Sequence, residues 1–145
     1  MAKMLDLLRG MQRGAVPPTP IATALGFTIT AVQPGQATIE FEATERFANP
    51  MGTLHGGVLC DIADAAMSCA YASTLDEGES FTTLELKINF LRPVWKAKLR
   101  AVGKVANAGR TIGLAVCDIL DEQHRLIAYA TSTFMTLRGD QAKGR

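Results

Sequence analysis

The sequence is short of almost everything that would announce a specialised protein. Its net charge is only +1, which excludes the broad basic surface that nucleic acid or an anionic membrane would need in a main partner. Cysteine occurs three times, at Cys60, Cys69 and Cys117. The odd number and the lack of paired or C-x-x-C spacing offer neither a disulfide framework nor a zinc-ligand set. They read as small apolar core residues in a reducing compartment. No stretch approaches the roughly 20 apolar residues of a membrane span. The start, Met1-Ala-Lys-Met-Leu-Asp-Leu-Leu-Arg, is too short and too charged for a signal peptide, so a cytoplasmic protein is expected. Low-complexity tracts and Pro/Gly overload are also missing.

What is present is an ordinary globular composition, 48% hydrophobic and 20% charged over 145 residues, enough for one domain with one core. Met4, Leu5, Leu7, Leu8 and Met11 predict a short amphipathic helix closed by Gly10 or Gly14. Pro17, Pro18 and Pro20 break it, and Pro20 opens a second short helix ended by Gly26. From Phe27 the period changes to alternation. Gln33-Pro34-Gly35-Gln36 is a turn, and Ala37 to Ala43 alternates again, which predicts a β-hairpin. Val58 to Ala72 is apolar nearly all round and Ala-rich, the pattern of a buried helix about four turns long. After the polar loop 76–80 come strands over 81–91, 98–107, 111–120 and 125–137, with turns at Arg92-Pro93, 107–110 and 121–124. A hairpin, one long buried helix and then consecutive antiparallel strands make an α+β fold whose natural packing is a sheet curled around the helix. The expected organisation is a helical segment at 1–23, the main domain at 24–138 and a polar, frayed tail at 139–145. So apolar a helix, and a curled sheet with open edges, predict a homo-oligomer, a dimer or a larger assembly.

The chemistry concentrates in Asn49-Pro-Met-Gly-Thr-Leu-His55-Gly56-Gly57, which runs straight into the long helix with Asp64 inside it. Backbone N–H groups at a helix start can hold a developing negative charge, and a carboxylate nearby can act as base or nucleophile. Glycine at 56 and 57 admits a ligand close to the backbone. The combination points to acyl transfer or hydrolysis. Asp64, set among small apolar residues, is a carboxylate whose pKa burial should raise. Asp61, one turn earlier, is explained by a favourable interaction with the helix dipole, with tuning of Asp64 or contact with substrate as its other reading. His55 has no Ser or Cys partner in a nucleophile pattern, so it reads as a positioning residue rather than a base.

Asn49 to Gly57 with an acid nine residues after His55, together with Ile88-Asn-Phe-Leu-Arg-Pro93 and Ala128-Tyr-Ala-Thr-Ser-Thr-Phe-Met135, resembles the hotdog-fold acyl-CoA thioesterases of the phenylacetic-acid-pathway, or PaaI-like, type. The resemblance covers residues 24 to 137. It implies a single hotdog domain acting on an acyl-CoA thioester by water addition, with no metal or redox cofactor, and sites at the interface of a dimer or dimer of dimers. It implies that the Gly56 N–H polarises the carbonyl, that Asp64 attacks or activates water, and that Asn49, His55 and Thr83 position the reactants. For Thr82 and Thr83, strand register decides which points inward. Asp64 lies about two helical turns beyond Gly57, roughly 10 Å along the axis, too far to serve the oxyanion donor of its own helix. A second subunit's Asp64 would complete each site. Gly57, Asp61, Arg92 and Arg110 are expected at the substrate, the two arginines at the phosphates of coenzyme A, for which Lys96 and Lys98 are further candidates. Where relatives carry a Gly-acidic pair, this chain has Lys96-Ala97-Lys98, a departure at the carrier loop. The competing readings are a non-catalytic acyl-CoA-binding module and an acyl-thioester hydratase or dehydratase.

Overall fold

A computed structural model describes residues 3–145; Met1 and Ala2 of the expected N-terminal segment lie outside the described residues. Two short helices come first, α1 (Met4–Gln12) and α2 (Pro20–Leu25). Gly10 stays inside α1, and the helix stops just before Gly14. In α2, Pro20 occupies the first turn, where its missing N–H costs nothing. The Thr19 hydroxyl accepts the Ala22 N–H, and Gly26 leaves the helix at a φ of 82° that favours glycine.

The hairpin follows as β1 (Thr28–Gln33) and β2 (Gln36–Ala43), then a 3-10 turn at Glu45–Phe47 and the long helix α3 (Gly56–Ala72). Four strands complete the chain: β3 (Ser80–Phe90), β4 (Ala97–Ala108), β5 (Ile112–Leu120) and β6 (Leu126–Leu137). They form one antiparallel six-stranded sheet in the order β1-β2-β4-β5-β6-β3, with α3 packed across it. This is the α+β hotdog arrangement.

One expectation changes. The strands after α3 are antiparallel but not consecutive neighbours, because β3 pairs with β6 and not with β4. Arg92-Pro93 is therefore not a hairpin turn but part of a crossing segment. Leu91 and Arg92 both donate their N–H to Ile127 O, and the buried Val94 accepts the Leu54 N–H through its carbonyl. Without turn residues of the hairpin type, nothing local forces β3 back onto β4. Beyond β6, Gly139–Ala142 forms a single 3-10 turn, just after Arg138, whose Nε pairs with Glu79 at 2.7 Å.

The core lies between α3 and the sheet. Ile39, Ile62, Met67, Leu99, Ile119 and Phe134 are fully buried. α3 can approach so closely because β4 offers Gly103 beneath it. A Cβ there would lie 2.4 Å from Ala66 O. At the far end of α3, Tyr71 stacks on Phe134 with ring centroids 4.9 Å apart, and its hydroxyl meets Thr136 Oγ1 at 2.7 Å. Among the described residues no helix is long and apolar enough to cross a membrane.

Candidate active site

The residues singled out in the sequence fall into two clusters along α3 and a remainder that joins neither. The first cluster is the start of the helix. His55 is its N-cap, and its Nδ1 accepts the Gly57 N–H at 2.9 Å. That bond satisfies one of the helix's orphan donors and puts the proton of a neutral imidazole on Nε2. A Cβ at position 57 would sit 2.9 Å from Nδ1, so a side chain there requires the ring to shift away from its capping bond. The His55 N–H in turn donates to Phe47 O at 2.9 Å, which anchors the entry of the chain. Gly56 is the first helical residue, and its N–H meets no acceptor among the described residues. A Cβ on Gly56 would lie 2.9 Å from Cζ at the tip of the Phe90 ring, so glycine lets that ring rest against the first turn.

Asn49 supports the same loop from within. Its side-chain oxygen accepts the N–H groups of Met51 and Thr53, and its amide nitrogen donates to Thr53 Oγ1 at 2.6 Å. Asn49 thus folds its own turn, an Asx-type closure, and carries Met51 at an exposed tip.

The second cluster surrounds Asp64 in the middle of α3. Thr83 Oγ1 from β3 donates to Asp64 Oδ1 at 3.3 Å, and Ser68 Oγ, one turn along the helix, donates to the same oxygen at 3.4 Å. The register thus resolves the threonine pair in favour of Thr83. A shift in the β3–β6 pairing between Thr83 and Glu85 breaks the regular alternation next to this contact. Half-buried Asp64 has its carboxyl pushed above the usual carboxylate range, first by burial and also by the charge of Asp61; the hydroxyls of Thr83 and Ser68 pull it back. The carboxylate is held in place and kept more basic than a surface aspartate.

Asp61 and Asp64 both border a cavity of about 740 Å³ that also reaches Ser68, Phe81 and the N-terminal helices. Ser68 was not among the residues the sequence singled out for the site. Its signal was the i, i+4 spacing from Asp64 on a helix, which puts the two side chains on one face. Arg92 and Arg110 join neither cluster. Both are exposed, one in the β3–β4 crossing and the other in the β4–β5 turn, and neither borders the cavity.

The thiols are poor nucleophiles here. Burial pushes Cys69 and Cys117 up to about 12, and it raises Cys60 as well. Among the described residues no group of three or more His, Cys, Asp or Glu side chains is arranged to hold a metal ion. A helix-start donor and a basic carboxylate remain, the two parts that addition to a carbonyl requires.

Known proteins carry the same frame. The family model described as the thioesterase superfamily matches residues 51–128, a span that contains both clusters apart from Asn49. Acyl-coenzyme A thioesterase PaaI of Escherichia coli is 30% identical over 108 residues, 74% of this chain and 75% of the relative. The 1,4-dihydroxy-2-naphthoyl-CoA hydrolase of Listeria monocytogenes is 28% identical over 109 residues, 75% of this chain and 89% of the relative. The crystal structure of a thioesterase from Haemophilus influenzae superposes with a TM-score of 0.81 at 27% identity, covering 90% of each chain. The chain belongs to the thioesterase superfamily, as a hotdog-fold protein of the PaaI-like type.

Proposed function

We propose that the protein hydrolyses acyl-CoA thioesters to the free acid and coenzyme A, with Asp64 as the reacting carboxylate. The observation that carries this reading is a raised carboxylate, fixed by Thr83 and Ser68, at the wall of a cavity in a thioesterase-family chain. As base, Asp64 takes a proton from water while the water oxygen bonds to the carbonyl carbon. The C–S bond then breaks and the thiolate leaves, taking up a proton. As nucleophile, Asp64 bonds the carbonyl carbon itself, the C–S bond breaks and the thiolate leaves to take up a proton. Water then cleaves the resulting anhydride to the acid and the free Asp64 carboxylate. In both routes the carbonyl oxygen gains negative charge, and the Gly56 N–H is the donor proposed to receive it.

Eight helical steps lead from Gly56 to Asp64, about 12 Å along the axis. The reacting atoms must approach to about 3 Å, so the proposed site joins Gly56 of one protomer to Asp64 of a second. The open edge of β3, the exposed Leu84 and Phe90 on that strand and the exposed Trp95 in the crossing that follows support a homodimer, alone or paired again. His55 and Asn49 then shape the donor loop, Gly57 and Asp61 border the substrate, and Arg92 and Arg110 are assigned to the phosphates of the carrier. The free cysteines support a cytoplasmic setting.

The test is thiol release from a panel of acyl-CoAs by wild type and Asp64→Ala, with light scattering for the oligomer. The variant should lose about 10²–10⁴-fold in kcat while keeping wild-type assembly. Undiminished hydrolysis by Asp64→Ala would refute the role of Asp64. A protein that stays monomeric would refute the shared site. Acyl-CoA binding without thiol release from wild type would instead favour the non-catalytic module.

A further inference from the structure

Helix α1 places Met4, Leu7, Leu8 and Met11 at i, i+3, i+4 and i+7, one apolar stripe. Such a stripe ordinarily packs on a core. Here it does so only in part: α1 lies against β1 and Leu8 is buried, while Leu7 stays 41% exposed and the stripe borders the cavity of about 740 Å³. Across that space stands the face of α3 that carries Asp61, Asp64 and Ser68. Beyond α1, the N-terminal wall continues through Pro17, Pro18 and Ile21, the last 52% exposed. A cavity of this size lies in the range of about 300–1,000 Å³ that holds small organic ligands.

The wall is apolar in its chemistry as well as its composition. Its two polar side chains are turned to the backbone: Gln12 Nε2 donates to Thr30 O at 3.0 Å, and Thr19 Oγ1 accepts the Ala22 N–H. The aromatic residues that border the cavity are engaged elsewhere. Phe27 is buried, and Phe81 lies edge-on to Tyr71 and Phe134 at 5.9 and 5.7 Å. A planar or hydroxylated acyl group finds little to stack on or to bond along α1. A flexible hydrocarbon finds thioethers and branched aliphatics, with Met4 and Met11 able to adapt to its path.

We infer that this cavity is the acyl chamber of the site, and that the N-terminal segment makes the protein selective for straight-chain saturated acyl groups of medium to long length. The inference rests on the reading of Asp64 as the catalytic carboxylate. The carbonyl lies at the α3 wall, and the chain runs from it along Leu7 and Met11 towards Ile21. Selectivity is then a property of residues that come before the family-matched span, which begins at residue 51.

The experiment measures kcat/KM for butyryl-, hexanoyl-, octanoyl-, decanoyl- and phenylacetyl-CoA with wild type, Leu7→Trp and Met11→Trp, with circular dichroism to verify folding. Specificity should rise about fourfold per added methylene until the chamber is full, and phenylacetyl-CoA should fall below octanoyl-CoA. Leu7→Trp narrows the chamber from a partly exposed position and should lower the decanoyl-to-butyryl ratio by at least about tenfold. A flat length profile, a preference for the aryl substrate, or a folded tryptophan variant that leaves the ratio unchanged overturns the inference while hydrolysis itself stands. If wild type releases no thiol, the proposed activity fails, and the chamber is judged by calorimetric titration with the same acyl-CoAs. Affinity that climbs with chain length and is lost in Leu7→Trp supports it, and length-independent or absent binding overturns it.

Discussion

Gly103→Ala offers the sharpest check on how α3, and with it Asp64, is held. The added Cβ would lie 2.4 Å from Ala66 O, 2.5 Å from Ala66 C and 2.8 Å from Met67 N. These neighbours are backbone atoms in the middle of a helix, so no rotamer change relieves the contact. α3 must move off β4 by roughly 1 Å to restore ordinary contact distances. Overpacking of this kind costs about 1–3 kcal/mol. The shortened list of unfolded conformations returns about 0.4–1 kcal/mol. The balance is a loss of about 1–2 kcal/mol, a fall in Tm of about 3–6 °C for a domain of this length. Thermal unfolding followed by circular dichroism reads it directly. A second measurement tests the cause: Ala66→Gly should not rescue the variant, because the clash is with the carbonyl and not with the Ala66 methyl. Activity should fall further than stability alone explains, since Asp64 sits two residues from the displaced carbonyl. A Tm within about 1 °C of wild type, or rescue by Ala66→Gly, would refute the proposed packing.

Three further expectations concern charge and hydrogen bonding. If Asp64 reacts as the carboxylate, activity rises with pH through its raised pKa. Asp61→Asn removes a like charge and should move that acid limb to lower pH, whereas Thr83→Val removes a stabilising donor and should move it to higher pH; pH–rate profiles that coincide with wild type would contradict both. The same raised pKa means that the folded state binds a proton more tightly than the unfolded one. Stability is therefore lost as pH climbs between the ordinary value of 3.8 and the folded value. Asp64→Asn should be more stable than wild type at neutral pH and lose that advantage below the ordinary value, as denaturant melts at several pH values will reveal. Tyr71→Phe leaves the buried Thr136 hydroxyl without its 2.7 Å partner and should cost about 1–3 kcal/mol. Chemical denaturation resolves a loss of that size, and an unchanged midpoint would count against the bond.

Much of this molecule could be read before its structure. The Ala-rich run to Ala72 is a helix because its apolar residues recur at nearly every position without an internal glycine or proline, and Gln33-Pro34-Gly35-Gln36 is a hairpin turn for reasons local to those residues. Pro20 and Gly26 bound α2 by rules that act within one turn. What escaped was non-local. Strand order depends on which edge β3 meets, and nothing in Arg92-Pro93 distinguishes a turn from a crossing. Either Gly10 or Gly14 was able to end α1, and helix context kept Gly10 inside. For the site, the short-range pattern from Asn49 to Asp64 was visible, but Ser68 carries no nucleophile pattern around it and only its i, i+4 spacing from Asp64 marks it. The N-terminal stripe was visible as a stripe, while the surface it faces was set by packing between segments far apart in sequence.

The placement of β3 at the sheet edge has a consequence for how the protein comes into being. Among the described residues its strand neighbour is β6, and Thr83 stands opposite Phe134, 51 residues later in the chain. During synthesis, which runs at about 5–20 residues per second, α3 and the β1–β2 hairpin emerge early, yet the hydroxyl that holds Asp64 has no ladder to sit in until β6 has left the ribosome. Pairing across so many residues closes a long loop and belongs among the slow, late events of folding. A nascent or truncated chain ending before β6 would thus display the Asp64 helix without the strand that orders it. On the role proposed for Asp64, competence for hydrolysis arrives only with the last strand, and a chain cut before β6 should release no thiol.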